Sequence, residues 1–466
     1  MAFSKRFQGF LLVLGDLALF YLGLYLTLAL RYGPPIPAKI WHLHQLPFFI
    51  IYLIWVLIFY ISGLYDLKKF YSLKAGFGQI AKAMTISLIM AILIFYAVPA
   101  FKITPKTNLI INGVLAGFLL LLWRKCFWNL ASRASKIKIL FFGYSEEAKT
   151  LIESFKTHPQ LGYETAAIMA RPIERDLKEA VKEHDIQLIV AAREIMNDPK
   201  ASKHLYEALL AGISITELPD FYEQIMEKVP VSIITETWFL DNLFEINKRT
   251  FRFFKRFFDM VFSIILVILT IIIILPIFGA LIKLSSPGPV FLRQKRVGKN
   301  GKIFNLVKFR SMLALSSDGS AEPEGAKWVG DKDERITKIG KFIRKTRVDE
   351  LPQLWNILKG ELSFIGPRPE RPEFIANLEK EIPYYIMRHL VKPGLSGWAQ
   401  IKLPHGGAGE ESMEKLQYDL YYIKNRSFTL DLAIALKTLA AILKFEGSLS
   451  FFQSSKDLSS QILGLV

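Results

Sequence analysis

The chain has 466 residues, 52% of them hydrophobic, with 59 Lys and Arg against 42 Asp and Glu and a formal net charge of +17. A composition this apolar and this basic excludes an ordinary soluble enzyme. It points to a membrane protein with a cytoplasmic body, because Lys and Arg are retained on the inner face and attract anionic headgroups. Nucleic-acid binding is the weaker use of the charge beside such apolar spans, and the single cysteine, Cys126, excludes an intrachain disulfide framework and a Cys-rich zinc site.

Four apolar runs fill the first third, at about 7–30, 46–64, 80–98 and 109–128, each near the ~20 residues that a bilayer-spanning helix needs. The first run leads into RYGPPIPAK rather than a small-residue cleavage site, so no secretory signal peptide is read here. Asp16 lies inside that run. A lone intramembrane carboxylate is a functional candidate, but one near a helix end can also snorkel or pair with a neighbour, and pairing is the preferred reading. Lys5 and Arg6 precede the first span, Lys68, Lys69 and Lys74 lie between the second and third, and Arg124, Lys125, Arg133, Lys136 and Lys138 close the fourth. The other two loops carry only Arg31 with Lys39 and Lys102 with Lys106, so both ends of a four-helix unit, residues 1–133, are expected on the cytoplasmic side.

From about residue 137 the pattern changes. KIKILFFGY reads as a buried strand ending in Gly143, and the stretch after it as a helix capped by Ser145; IQLIVAARE reads as a further strand, ALLAGISITELP as a helix end leading into another, and DFYEQIMEK as a helix. Alternating strands and helices over about 137–241 predict a doubly wound, Rossmann-like α/β domain, bounded at 134–245. Its nucleotide site looks degenerate. A dinucleotide fingerprint needs several glycines where the backbone meets the pyrophosphate, whereas this turn supplies Gly143 followed by Tyr144, Ser145 and Glu146, and no Tyr-x-x-x-Lys pair accompanies it. A regulatory or dimerising module, with a possible homodimer through it, is the expectation.

A second long apolar run, about 257–284, is flanked by Lys248, Arg249, Arg252, Lys255 and Arg256 on one side and by Lys283, Arg293, Lys295, Arg296 and Lys299 on the other. Strong positive charge on both sides fits a segment that enters and leaves on one face. Pro276 inside the run removes a helix hydrogen bond and marks the turning point of a re-entrant helix, about 254–284. An ordinary fifth crossing with a proline kink is the competing reading.

The stretch RVDELPQLWNILKGELSFIGPRPERP, residues 347–372, places Asp349 and Glu350 before Pro352 and ends on Arg368 and Arg371. Carboxylates beside guanidinium groups suit a hard cation and a phosphate, although Asp-Glu before Pro is also how a plain helix begins. Upstream, IFNLVKFR reads as a strand directing Lys308 and Arg310 to one side. A polar stretch, SSDGSAEPEGAKWVGDKDERITK, follows it. Downstream, HLVKPGLSGWAQI offers Trp398 and Gln400 as an aromatic face and an amide for a nucleobase, and about 430–445 reads as an interfacial helix with Lys437 and Lys444 snorkelling.

KFRSM, DELPQLWNILKGELSFIGPRP, VKPGLSGWAQ and YDLYYIKN resemble the successive motifs of the bacterial sugar transferases, the polyprenyl-phosphate hexose-1-phosphate transferases, over about 254–445. The four spans and the α/β segment ending in TETWFLDNLF resemble the long members of that family. The resemblance implies a mainly helical catalytic domain, 246–466, at the cytoplasmic face of the bacterial inner membrane. It implies transfer of a sugar 1-phosphate from a UDP-sugar, UDP-glucose or UDP-galactose being expected, to undecaprenyl phosphate with release of UMP, the first membrane step of exopolysaccharide, capsule or O-antigen synthesis. It also implies that Asp349 is the nucleophile of a covalent phosphosugar intermediate, that Glu350 with Asp349 holds Mg2+, and that Arg344 and Arg368, with Lys308 and Arg310, contact phosphate. Backbone N–H groups after Pro352 would add to them. One departure stands: the Ser-Pro break of some small members is Leu275-Pro276 here. A membrane-anchored nucleotide-sugar oxidoreductase or dehydratase, and a transporter or non-catalytic scaffold of glycan assembly, are the alternatives from other classes.

Overall fold

The computed structural model describes residues 5–65, 73–98, 101, 106–133, 136–169, 174–243, 249–316, 333–403 and 410–443. Lys68, Lys69, Lys102, Lys248, Lys444 and the polar stretch 317–332 lie outside the described residues. The chain forms two compact units, Met1–Phe221 and Tyr222–Val466.

The first unit opens with four long helices, α1 (Lys5–Tyr32), α2 (Ala38–Ile61), α3 (Leu73–Ala97) and α4 (Lys106–Arg133). All four are long and apolar enough to cross a membrane. Their buried seam is aromatic: Phe20 stacks on Tyr52 and meets Trp55 and Phe59 edge-on. Asp16 is fully buried and accepts a 2.7 Å hydrogen bond from Arg124 of α4, so the carboxylate inside the first run pairs with a neighbour, as charge at that depth requires. At Asn108 a second polar contact forms, where Arg31 donates at 2.7 Å and His44 lies 3.0 Å from the amide nitrogen.

β1 (Ile137–Phe142), α5 (Glu146–Thr157), β2 (Tyr163–Met169), α6 (Glu174–His184), β3 (Leu188–Ala191), α7 (Arg193–Asn197), α8 (Pro199–Leu210), β4 (Ser214–Glu217) and α9 (Leu218–Met226) follow. The four strands make one parallel sheet in the order β2-β1-β3-β4. Ser145 caps α5 by accepting from the Ala148 amide. Gly143 turns the chain at φ 99°, a conformation that L side chains rarely adopt. The strand β2 has no counterpart in the sequence reading; at a sheet edge its apolar residues are half-buried or, as at Ile168, exposed, and none is fully buried to mark an inward face.

In the second unit, α10 (Glu236–Asn242) buries Trp238 and Phe239 in a core shared with Ile365, Tyr385, Trp398 and Tyr422. Residues 235–243 of TETWFLDNLF therefore pack on the C-terminal body, whereas the sequence reading placed that segment at the end of the α/β domain. Next come α11 (Arg249–Leu269), a π-helical segment (Thr270–Ile274) and α12 (Leu275–Ser285), a fifth stretch apolar enough to cross a membrane and only 11% buried. The Leu275 amide reaches back to the Thr270 carbonyl, so the π turn sits directly before Pro276, which has no amide hydrogen to give.

The remaining elements are an antiparallel hairpin of β5 (Phe291–Val297) and β6 (Ile303–Phe309), then α13 (Lys338–Lys345), a 3-10 turn (Val348–Gln353), α14 (Leu354–Lys359), β7 (Ser363–Ile365), α15 (Pro372–Glu381), β8 (Gly394–Ser396), α16 (Trp398–Lys402), α17 (Glu410–Lys424) and α18 (Phe428–Leu443). Strands β7 and β8 pair in parallel. One apolar cluster joins Val267 of α11 to Leu306, Leu354 and Ile357; another joins Ile274, Phe278 and Ile282 to Phe309 and Ile343. Leu351 of the 3-10 turn belongs to both.

Candidate active site

The 3-10 turn Val348–Gln353 carries Asp349 and Glu350. It is entered through Arg347 at φ 59°, a left-handed conformation that costs a non-glycine residue about 1–3 kcal/mol and that clusters at functional sites. Glu350 is 8% exposed, and its Oε1 accepts from Arg347 and from Arg368, each at 3.2 Å. Asp349 differs: its buried Oδ1 has no hydrogen-bond partner. An ionised oxygen left unmet in the interior is costly unless a ligand completes it.

The electrostatics separate the two acids. Burial and the adjacent Glu350 push the Asp349 carboxyl up to about 6, against the pull of Lys308, Arg347 and Arg344. Burial also acts to raise Glu350, but Arg368, Arg347 and Lys308 outweigh it and hold that group well below the usual carboxylate range. Burial and Arg368 bring Lys308 down to about 8, with Glu350 and Asp349 opposing. Neighbouring carboxylates driven apart in this way mark a division of chemical roles.

Each basic residue reaches the turn from its own element. Lys308 stands near the end of β6, and its side chain makes no hydrogen bond or ion pair among the described residues. Asn356 of α14 locks that strand to the turn, donating to Asn305 O at 2.8 Å and accepting from the Val307 amide at 3.1 Å. Arg344 lies half-buried in the last turn of α13. Arg368 follows Gly366, whose amide donates to Ser396 O at 2.8 Å, while the Gly394 amide donates to Pro367 O at 2.9 Å. A Cβ on Gly394 would lie 2.1 Å from the Gly366 nitrogen, so only glycine lets the two backbones meet there. Arg388 fixes the same loop by donating to Arg368 O at 3.0 Å and to Asp419 at 2.8 Å, and it also donates to the Tyr385 hydroxyl.

The structure thus gathers Asp349, Glu350, Lys308, Arg344 and Arg368 around one turn and leaves three expected residues elsewhere. Arg310 is 2% exposed, and its guanidinium donates to the carbonyls of Ser286, Pro287 and Ile282 at the end of α12. The strand alternation that aligned it with Lys308 stops at Phe309, and Arg310 caps a helix instead of meeting phosphate. Trp398 is 5% exposed, donates to Glu227 O at 3.0 Å and stacks on Tyr421, with the ammonium of Lys437 5.4 Å from its ring centre. Its ring therefore offers no face to a nucleobase, and Lys437 lies on that ring rather than snorkelling. Gln400 donates at 3.3 Å to Leu395 O within the same turn of chain. Arg347 was missed as a site residue, although its spacing of three from Glu350 was a readable signal; Arg388, Asp419 and Asn356 act across long sequence separations and gave none.

A body that seats a long apolar helix and presents an acid pair ringed by cations defines a membrane-associated enzyme of phosphate esters. The profile described as Bacterial sugar transferase matches residues 250–445. Among curated proteins, the chain is 40% identical over 245 residues to the UDP-N-acetylgalactosamine-undecaprenyl-phosphate N-acetylgalactosaminephosphotransferase of Aeromonas hydrophila, covering 51% of this chain and 55% of that one. It is 33% identical to the UDP-glucose:undecaprenyl-phosphate glucose-1-phosphate transferases of Escherichia coli K12, over 62% of this chain and 64% of that one, and of Klebsiella pneumoniae, over 66% and 67%. The chain thus spans only part, about half to two-thirds, of the length of these relatives. It belongs to the bacterial sugar transferase family.

Proposed function

We propose that this chain transfers a sugar 1-phosphate from a UDP-sugar to undecaprenyl phosphate, releasing UMP. The observation that carries the reading is the buried, unpartnered Oδ1 of Asp349 beside a Glu350 already held by two arginines. In the first step an Asp349 oxygen attacks the phosphorus nearest the sugar, and the bond from that phosphorus to the UMP oxygen breaks, the electron pair leaving with UMP. A phosphosugar-aspartyl anhydride results. In the second step an oxygen of undecaprenyl phosphate attacks the same phosphorus, the Asp349 oxygen departs, and the carboxylate is restored with undecaprenyl-diphosphate-sugar as product. Lys308, Arg344 and Arg368 neutralise the equatorial oxygens and the departing phosphate. Arg347 and Arg368 keep Glu350 ionised and fixed.

Mg2+ fits the donor set. Among the described residues no group of three or more His, Cys, Asp or Glu gathers, and two carboxylates completed by substrate phosphates and water are the usual arrangement for this ion. Asp349 and Glu350 would hold it, and when bound it would neutralise charge on the diphosphate.

We read the helix 249–285 as re-entrant, on the inner membrane with the body cytoplasmic. Support comes from its anchorage: Arg256 near its start donates to Ile357 O and Leu358 O, the Ile282 carbonyl near its end accepts from Arg310, and Leu351 packs with both halves. The parallel sheet of the first unit is read as a degenerate Rossmann-like module that pairs two copies of the chain.

The test uses full-length protein in detergent with Mg2+ and a UDP-glucose, UDP-galactose and UDP-N-acetylgalactosamine panel. One donor should release UMP dependent on undecaprenyl phosphate, and without the lipid should leave its β-phosphate label on the protein. Asp349→Asn should abolish both signals. Release without any protein label, or a label that persists in Asp349→Asn, would overturn the aspartyl step.

A further inference from the structure

A second group of cations gathers at the head of the long apolar helix. Arg252 and Arg256 lie on α11, Lys299 at the β5–β6 turn, Lys392 before β8 and Arg426 after α17. Lys392 and Arg256 converge on Gly360, where a Cβ would lie 3.2 Å from the Lys392 Nζ and 3.5 Å from the Arg256 Cζ. Each of these charges bears on its neighbours. Burial, then Arg252 and Arg426, lower Lys299, and burial, then Arg256 and Lys299, lower Lys392 against the opposing Asp259.

The nearby carboxylates are already engaged. Asp259 accepts from the Phe364 amide at 3.2 Å, and Asp431 accepts from Lys255 at 2.5 Å and from the Tyr422 hydroxyl at 2.8 Å. Arg256 is committed to Ile357 O and Leu358 O. The side chains of Arg252, Lys299 and Lys392 make no hydrogen bond or ion pair among the described residues. Arg252 is exposed, but Lys299 and Lys392 are half-buried, and half-buried like charges without a counter-ion cost stability unless an anion joins them. The surface beside them is aromatic: Phe254, Phe257, Phe258 and Phe428 are exposed, and Phe428 lies 5.0 Å, ring to ring, from Phe251, over which Arg426 sits.

We propose that Arg252, Lys299, Lys392 and Arg426 bind the phosphate of a membrane lipid whose chain lies along the phenylalanine face of α11. Ammonium and guanidinium groups supply the donors that a phosphate accepts from, and juxtamembrane cations draw anionic headgroups. That phosphate is carried either by phosphatidylglycerol of the bilayer or by undecaprenyl phosphate. Only the second source rests on the proposed reaction.

Full-length protein in detergent is titrated with phosphatidylglycerol, undecaprenyl phosphate or inorganic phosphate while the melting midpoint is followed. At least one lipid should raise the midpoint of the wild type, and Lys299→Gln with Lys392→Gln should raise the half-saturating concentration at least tenfold. The paired Arg substitutions should preserve binding. Removing mutually repelling charges should leave the lipid-free protein as stable as the wild type or more so, and single Lys392→Gln serves if the pair does not fold. A tenfold higher KM for undecaprenyl phosphate, at unchanged KM for the UDP-sugar, assigns the site to the substrate lipid; an unchanged KM with lost phosphatidylglycerol binding assigns it to the bilayer. Equal titrations in wild type and double variant, no stabilisation by either lipid, or equal stabilisation by inorganic phosphate would overturn the lipid site.

Discussion

Two carboxylate–arginine groups flank Arg368, and they are built to different ends. On one side Arg388 and Asp419, 4% and 1% exposed, satisfy each other and tie the Arg368 carbonyl and Tyr385 into the core. On the other side Asp349 and Glu350 sit among Lys308, Arg344, Arg347 and Arg368, yet one Asp349 oxygen stays unmet. Both places set carboxylates against arginine, but Arg347 and Arg368 keep 26% and 33% of their side chains exposed where Arg388 keeps 4%, so the two differ in access as well as in how completely the hydrogen-bonding capacity is used. A saturated group holds the fold, and an unsaturated one waits for a ligand.

Substitutions test that contrast. The largest effect is expected for Asp349→Asn, with turnover down on the order of 10⁴-fold, the scale of a lost nucleophile. Its melting midpoint should rise at pH 7 to 8. The folded carboxyl titrates near 6, above its ordinary range, so its stabilising contribution is lost as pH rises through that value and the amide carries no such cost. The advantage should shrink as pH falls below 6, measured by thermal melts across pH.

Arg388→Ala should behave in the opposite way, losing ~3–5 kcal/mol of stability by stranding Asp419 in the interior, as read by denaturant unfolding. Next, Arg368→Ala should lower kcat/KM about 10- to 100-fold, the weight of a charge-assisted hydrogen bond. Arg310→Lys should lower the melting midpoint and leave the KM for the UDP-sugar unchanged, because the side chain serves the end of α12.

A gentler probe is the pH–rate profile. Activity should fall as pH drops through about 6, where Asp349 takes up a proton, and again as pH rises past about 8, where Lys308 loses one. Asp349→Glu or Lys308→Arg should move only the limb of the residue changed. Smallest of all, Trp398→Phe should cost about 1 kcal/mol for its lost bond to Glu227 O and leave donor preference untouched.

What the sequence disclosed follows the range of the interactions. The four apolar runs, which form helices, the Ser145 cap and the apolar run of β1 are local patterns, and each folds as read. Asp349, Glu350 and Arg368, which the structure brings together, stand in one short stretch where acids and arginines crowd, but that crowding alone also fitted a plain helix start. Arg310 and Trp398 misled for one reason: their side chains are consumed by partners more than 20 residues away, the Ser286 carbonyl and Glu227 O. Motif position is blind to such partners. The clamp of Arg388 on Arg368 was hidden in the same way, since pairing of this kind is decided only when β7 and β8 come together.

Leu351 lies next in sequence to Asp349 and Glu350 and touches the packing of both halves of the long apolar helix. The anchor is therefore part of the foundation on which the chemistry stands. Trimming residues 249–285 to obtain a water-soluble enzyme would remove the floor beneath Asp349 along with the hydrophobic tail.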